Sequence, residues 1–122
     1  MGDIKVRAAR GAICVDADAP EAVLSATERL LGTMLERNGV GDEDLVSVFF
    51  TTTEDLVSVF PAEAARRMGL GAVPLMCARE IPVLGSMPRV IRILMHFHTE
   101  RAQTDVTHPY LDGAESLRDD LG

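Results

Sequence analysis

The stretch Val90-Ile91-Arg92-Ile93-Leu94-Met95-His96-Phe97-His98 decides how this chain folds. Ile91, Ile93, Met95 and Phe97 alternate without a break, which is the period of a β-strand with one face in a core. The opposite face carries Arg92, Leu94, His96 and His98. Arginine cannot shed its charge, so one held on a sheet needs an anion to meet it. No carboxylate lies beside Arg92 in sequence, which makes a bound anionic ligand a candidate partner. On periodicity alone, a purely structural ion pair with Glu80 stays equally open.

A second arginine poses the same question. Ile4–Val15 reads as a strand with Ile4, Val6, Ala8, Arg10, Ala12 and Cys14 on one face. Arg10 therefore has small apolar neighbours, with room for its side chain and a ligand. Arg7 shares the other face with Lys5 and reads as solvated.

Between these strands, Asp16-Ala17-Asp18-Ala19-Pro20-Glu21 is a helix start, with Asp18 or Ala19 as cap and Pro20 in the first turn. Val23, Ala26, Leu30, Leu31, Met34 and Leu35 recur at helical spacing, and Gly39 ends the helix after Asn38. Leu45–Thr53, rich in Val, Phe and Thr, reads as a strand. A second helix is expected from Pro61 to Met68, closed by Gly69, with Glu54–Phe60 as a separate turn before it. Ala72–Arg79 is expected as a short strand and Ile81–Pro88 as a loop. Glu100–Thr107 is a polar connection, and His108–Leu111 can add a last short strand. The order β-α-β-α-β-β, with one more short strand, predicts an α+β fold: a mixed β-sheet packed with two helices on one face. The other face then needs cover, so subunit association is expected.

Composition bounds the function. The 122 residues suit one domain, 1–122, with 112–122 expected as a mobile acidic C-terminal tail. The net charge of −7 argues against nucleic acid as a partner. No apolar run approaches the roughly 20 residues that span a membrane. Met1–Arg10 lacks the apolar core of a secretory signal. Cys14 and Cys77, far apart, are expected as reduced thiols in a cytoplasmic protein. Gly69-Leu70-Gly71 is too short for a phosphate loop, Cys and His lack zinc spacing, and Ser58 and Ser86 lack a hydrolase elbow. No metal or cofactor is expected. His96, His98 and His108 read as packed or solvated histidines, and Arg66 and Arg67 as a salt-bridged helix face with Glu63 paired to Arg67.

Six short motifs then occur in order: Arg7-Ala8-Ala9-Arg10-Gly11-Ala12, Phe60-Pro61-Ala62-Glu63-Ala64-Ala65-Arg66, Val73-Pro74-Leu75-Met76-Cys77-Ala78-Arg79-Glu80, Ile91-Arg92, His108-Pro109-Tyr110-Leu111 and Leu117-Arg118-Asp119-Asp120-Leu121. Together they make the chain resemble the AroH-type, monofunctional chorismate mutases over nearly its whole length. Against that family's pattern, Ala8 replaces a glycine, Glu63 stands where some members carry lysine, Pro109 precedes the tyrosine, and Asp119 replaces a proline.

The resemblance implies a chorismate-mutase-like fold, a trimeric pseudo-barrel, and a homotrimer with active sites between subunits. It implies rearrangement of chorismate to prephenate, a unimolecular Claisen reaction that uses no nucleophile, metal or cofactor. Such a reaction needs the flexible dianion held in its reactive shape. It also needs positive charge where the breaking ether oxygen becomes negative. By the same resemblance, Arg92 contacts the ether oxygen and a carboxylate, and Arg10 and Tyr110 bind carboxylates. Glu80 accepts the ring hydroxyl, with Cys77 near that end. The backbone of Met76, Cys77, Ala78 and Arg79 lines the site. Phe60 and Arg66 come from the adjacent subunit, and Leu117 and Arg118 partly cover the pocket. Two other readings stand beside it: an imine or enamine deaminase of the Rid type, also trimeric with an interfacial arginine, and a non-catalytic binding module for an aromatic-pathway acid.

Overall fold

The computed structural model describes residues 2–121. In chain order it forms β1 (Lys5–Cys14), α1 (Pro20–Asn38), β2 (Leu45–Thr52), α2 (Ala62–Arg67), β3 (Leu75–Arg79), β4 (Val90–Thr99) and β5 (Tyr110–Leu111). Short 3-10 turns occupy Asp42–Asp44, Gln103–Asp105 and Glu115–Leu121. The sheet order is β3-β2-β4-β1-β5. β4 runs antiparallel to both its neighbours, whereas β2–β3 and β1–β5 are parallel, so the sheet is mixed as expected.

The alternation of β4 governs the packing. Ile91, Ile93, Met95 and Phe97 are sealed beneath the helices with Ile13, Val48 and Phe50. α1 supplies Val23, Leu30, Leu31 and Met34 to that core, and α2 supplies Ala62 and Ala65. Both helices thus cover one face, for the reason their apolar stripes imply. The opposite face is open: Ile4 is 67% exposed and Met76 60%, with Val6 and Phe49 also exposed.

Helix ends show where sequence signals held and where they did not. Pro20 begins α1, and Gly39, at φ +62°, closes it by donating its N–H to the carbonyls of Leu35 and Glu36. Ala19 is the N-cap and makes no side-chain cap hydrogen bond. Asp18 instead accepts the backbone N–H groups of Val57 and Ser58, at 3.0–3.2 Å, and so ties the β2–α2 connection to the start of α1. β3 begins at Leu75 rather than Ala72. Pro74 has no N–H to give a ladder, but its carbonyl accepts from Val48 N.

Residues 112–118 fold onto the domain. Asp112 and Gly113 take positive φ values, which turns the chain back. Ala114 is then fully buried, in a second small core with Ala12, Val90 and Tyr110, and Leu117 packs against it. Gly122 and the side chains of residues 119–121, which end the expected tail, lie outside the described residues.

Gly11 is required by close approach. A Cβ there would stand 2.8 Å from Met34 Sδ, 2.9 Å from the carbonyl oxygen of Pro109 and 3.0 Å from Leu30 Cδ1. This position lets α1 on one side and the chain leading into β5 on the other both press against β1. Among the described residues, no helix is long and apolar enough to cross a membrane.

Candidate active site

Sheet register brings the two arginines together. Arg10 lies opposite Leu94 and Ala12 opposite Arg92, so the arginines are diagonal neighbours on the open face. Such neighbours sit about 7–8 Å apart. On the far side of β4, Thr51 lies opposite Arg92 and Phe49 opposite Leu94. On the far side of β1, Tyr110 pairs with Ala12. These strands floor a pocket of about 400 Å³ whose lining includes Arg10, Phe49, Thr51, Glu80, Arg92 and Tyr110.

Glu80 reaches this pocket because its N–H donates to Thr52 O at 2.9 Å, extending the β2–β3 ladder past β3 itself. Its carboxylate meets Arg92 Nε at 3.0–3.1 Å and accepts the hydroxyl of Thr51. The ion pair left open by the sequence therefore exists. It does not consume Arg92, whose side chain is still 40% exposed while that of Glu80 is 20% exposed. The contact uses Nε, and the two terminal guanidinium nitrogens have no hydrogen-bond partner among the described residues. A carboxylate gripping Nε on one side thus leaves a planar fork facing the pocket on the other.

Arg10 presents an exposed side chain to the same space, while its backbone N–H donates to His108 Nδ1 at 3.0 Å. Tyr110 is 6% exposed and packs in the small core around Ala12 and Ala114. Pro109 does not break the pairing that carries Tyr110. Its carbonyl accepts Ala12 N–H at 3.1 Å, a role that needs no N–H of its own. His108 is held below its ordinary value by burial, and next by the positive charges of Arg10 and Arg118. Burial, and after it the charge of Glu115, pushes the Cys14 thiol up.

The remaining expected residues gather elsewhere in the chain. Cys77 does not share the pocket of Glu80: strand alternation turns it to the helix side, where it packs on the main core. It lines a second cavity of about 500 Å³ with Leu56, Phe60, Ala78 and Arg79. Phe60 stands at its rim, 72% exposed. Arg79 borders both cavities and holds the intervening loop, donating to the carbonyls of Thr53 and Leu56 at 3.0 Å. Met76 lies on the open face in register with Phe49. Arg66 is an exposed cation paired with Glu63 at 2.9 Å. Arg67 pairs not with Glu63 but with Glu21 at 3.2 Å, because α2 packs beside α1. Leu117 packs under Tyr110, and Arg118 is exposed close enough to lower the His108 value.

Sequence reasoning missed Thr51, Phe49 and His108. Thr51 and Phe49 join the site only through register, which no local pattern announces. His108 carried a usable signal, its place two residues before Tyr110, but nothing marked its ring as a backbone acceptor. No group of three or more metal-ligating side chains occurs among the described residues.

Comparison with known proteins gives a consistent result. A family model described as chorismate mutase type I matches residues 6–121. The chain is 56% identical over 117 residues to the chorismate mutase AroH of Thermus thermophilus, covering 95% of this chain and 96% of that protein. It is 38% identical over 117 residues to the chorismate mutase AroH of Bacillus subtilis, covering 95% and 92%. A solved chorismate mutase from Clostridium thermocellum superposes with a TM-score of 0.88 at 42% identity, covering 89% of this chain and 97% of that one.

Proposed function

The chain belongs to the type I chorismate mutase family, and from that premise we propose that it converts chorismate to prephenate by a Claisen rearrangement. The observation that carries this reading is the convergence of Arg10, Arg92, Glu80 and Tyr110 on one pocket of the open sheet face. The substrate is a flexible dianion, and two guanidinium groups on adjacent strands supply matching charge at a fixed spacing.

The roles proposed for these residues are those the family resemblance implies, and their convergence on one pocket supports them. Arg10 and the Tyr110 hydroxyl bind carboxylate oxygens, a binding role that holds the flexible dianion in the site. Arg92 faces the ether oxygen with its terminal nitrogens, where negative charge grows as the C–O bond breaks. Glu80 has two tasks. It fixes the Arg92 fork through Nε, and its remaining acceptor capacity takes the ring hydroxyl of the substrate. Thr51, donating to Glu80, orients that carboxylate. The reaction is intramolecular, so these residues need only bind, orient and stabilise charge.

The working unit in this reading is a homotrimer. Its support is the uncovered sheet face with exposed Val6, Phe49 and Met76, and the presence of two half-sites on one chain. The cavity with Phe60, Cys77 and Ala78 then belongs to the same site as the arginine pocket of a neighbouring subunit. The resemblance implies that Arg66 of the neighbouring subunit is near the entrance and that Leu117 and Arg118 partly cover the pocket. Two free thiols, Cys14 and Cys77, suit a reducing compartment such as the cytoplasm. The family match and the two curated relatives favour the mutase over an imine deaminase or a non-catalytic module.

The test is to follow the loss of chorismate absorbance with purified protein. Turnover to prephenate is expected, and no turnover at high enzyme concentration contradicts the proposal.

A further inference from the structure

The outer edge of β1 is completed by an unusual set of acceptors. The N–H of Ala8 donates to Gln103 Oε1 at 3.1 Å, and that of Ala12 to the Pro109 carbonyl at 3.1 Å. Between them, the N–H of Arg10 meets the His108 ring, at Nδ1, 3.0 Å away. An imidazole nitrogen here does the work of a missing strand carbonyl. It also joins the residue that carries one expected carboxylate ligand, Arg10, to the segment that carries the other, Tyr110, two residues on.

Only an unprotonated Nδ1 can accept that bond, so the ring must be neutral with its proton on Nε2. Among the described residues, the charged groups facing the ring are Arg10 from β1 and Arg118 from the 3-10 turn after β5. Both are cations, and both oppose a second proton. Half-burial opposes it further, and the shift below the ordinary 6.5 agrees in direction.

We propose that neutral His108 is a positioning residue for the substrate dianion, and that a proton on Nδ1 breaks its bond to Arg10 and loosens Arg10 and Tyr110 together. The effect falls on binding, because Arg92 is held separately by Glu80. KM therefore rises in mild acid while kcat stays nearly level. The inference rests on the assignment of Arg10 to a substrate carboxylate.

The experiment measures kcat and KM for chorismate between about pH 8 and pH 5 in the full chain and in His108→Ala, His108→Asn and Arg10→Ala. His108→Ala removes the acceptor and should raise KM about fivefold at neutral pH, the worth of one neutral hydrogen bond. His108→Asn places an amide oxygen near the Nδ1 position and cannot titrate. It should keep KM near that of the unaltered protein and flatten the acid rise. Nitrogen NMR of the unaltered protein should show Nδ1 unprotonated and Nε2 protonated at neutral pH, a readout independent of activity. His108→Ala with unchanged KM, His108→Asn with the full acid rise, or a neutral ring protonated at Nδ1 would each overturn the proposal. If Arg10→Ala raises KM and the His108 variants do not, positioning alone fails. If Arg10→Ala leaves KM unchanged, the site assignment fails and the proposal with it.

Discussion

Replacing Gly11 by alanine tests the link between fold and site with one methyl group. The new Cβ would meet Met34 Sδ at 2.8 Å, the Pro109 carbonyl oxygen at 2.9 Å and Leu30 Cδ1 at 3.0 Å. The sulfur and the methyl are ends of flexible side chains and can give way. The carbonyl is backbone, and it accepts Ala12 N–H at 3.1 Å, so it can move only by stretching that bond. Overpacking a dense core costs about 1–3 kcal/mol, and forfeiting the bond adds about 1 kcal/mol. A Gly→Ala change also restricts the unfolded chain, which offsets about 0.4–1 kcal/mol. The net loss is about 1–4 kcal/mol. With a urea slope of about 2 kcal/mol/M, the unfolding midpoint should drop by roughly 0.5–2 M with the slope unchanged. The displaced carbonyl immediately precedes Tyr110, so KM should rise as well. A variant within about 0.5 kcal/mol of the parent, the range of an ordinary surface change, would refute the claim that Pro109 is pinned against β1.

Two further perturbations probe the frame around the site. Asn38 is 2% exposed; its amide donates to Met34 O and Thr107 O, and its carbonyl oxygen accepts from Thr107 N. Asn38→Ala should destabilise by about 2–4 kcal/mol, because the partners stay half-buried and unpaired, and thermal unfolding would check it. Hydrogen bonds from Ser58 and from the Val57 backbone hold the Asp18 carboxyl below its ordinary 3.8. A depressed carboxyl stabilises the fold fully above its unfolded value and loses that contribution as pH falls through the folded one. Acid unfolding monitored below about pH 4 should therefore be less steep in Asp18→Asn.

Much of this architecture was legible because each local signal agreed with the global fold. The unbroken apolar face of β4 fixed a central strand, and Pro20 and Gly39 marked the ends of α1 within a residue. Asp18 could not be read, since its partners lie 39 and 40 residues away and its own position mimics a cap. The acidic composition after Asp112 concealed Ala114 and Leu117, two apolar residues that pack in the small core with Tyr110. In the site, motif context singled out Arg10, Glu80, Arg92 and Tyr110, and one pocket collects them. The side of the sheet on which Cys77 falls is set by the register of β3 on β2, which places Cys77 opposite the core residue Phe50 and which no local pattern announces. Glu80 admits two readings from sequence. Its pairing with Arg92 suggested a choice between a structural bridge and a ligand site, and the partly exposed Arg92 fork lets one contact serve both.

The most direct test of the central claim is kcat for Arg92→Ala and Arg92→Lys, with folding checked by the unfolding midpoint. Arg92 is assigned to charge that develops only as the ether bond breaks. Arg92→Ala should therefore lower kcat by about a hundredfold to a thousandfold. Arg92→Lys should recover little, because a point charge cannot pair with Glu80 and present a fork at once. A folded Arg92→Ala variant whose kcat stays within about tenfold of the unaltered protein would contradict the account.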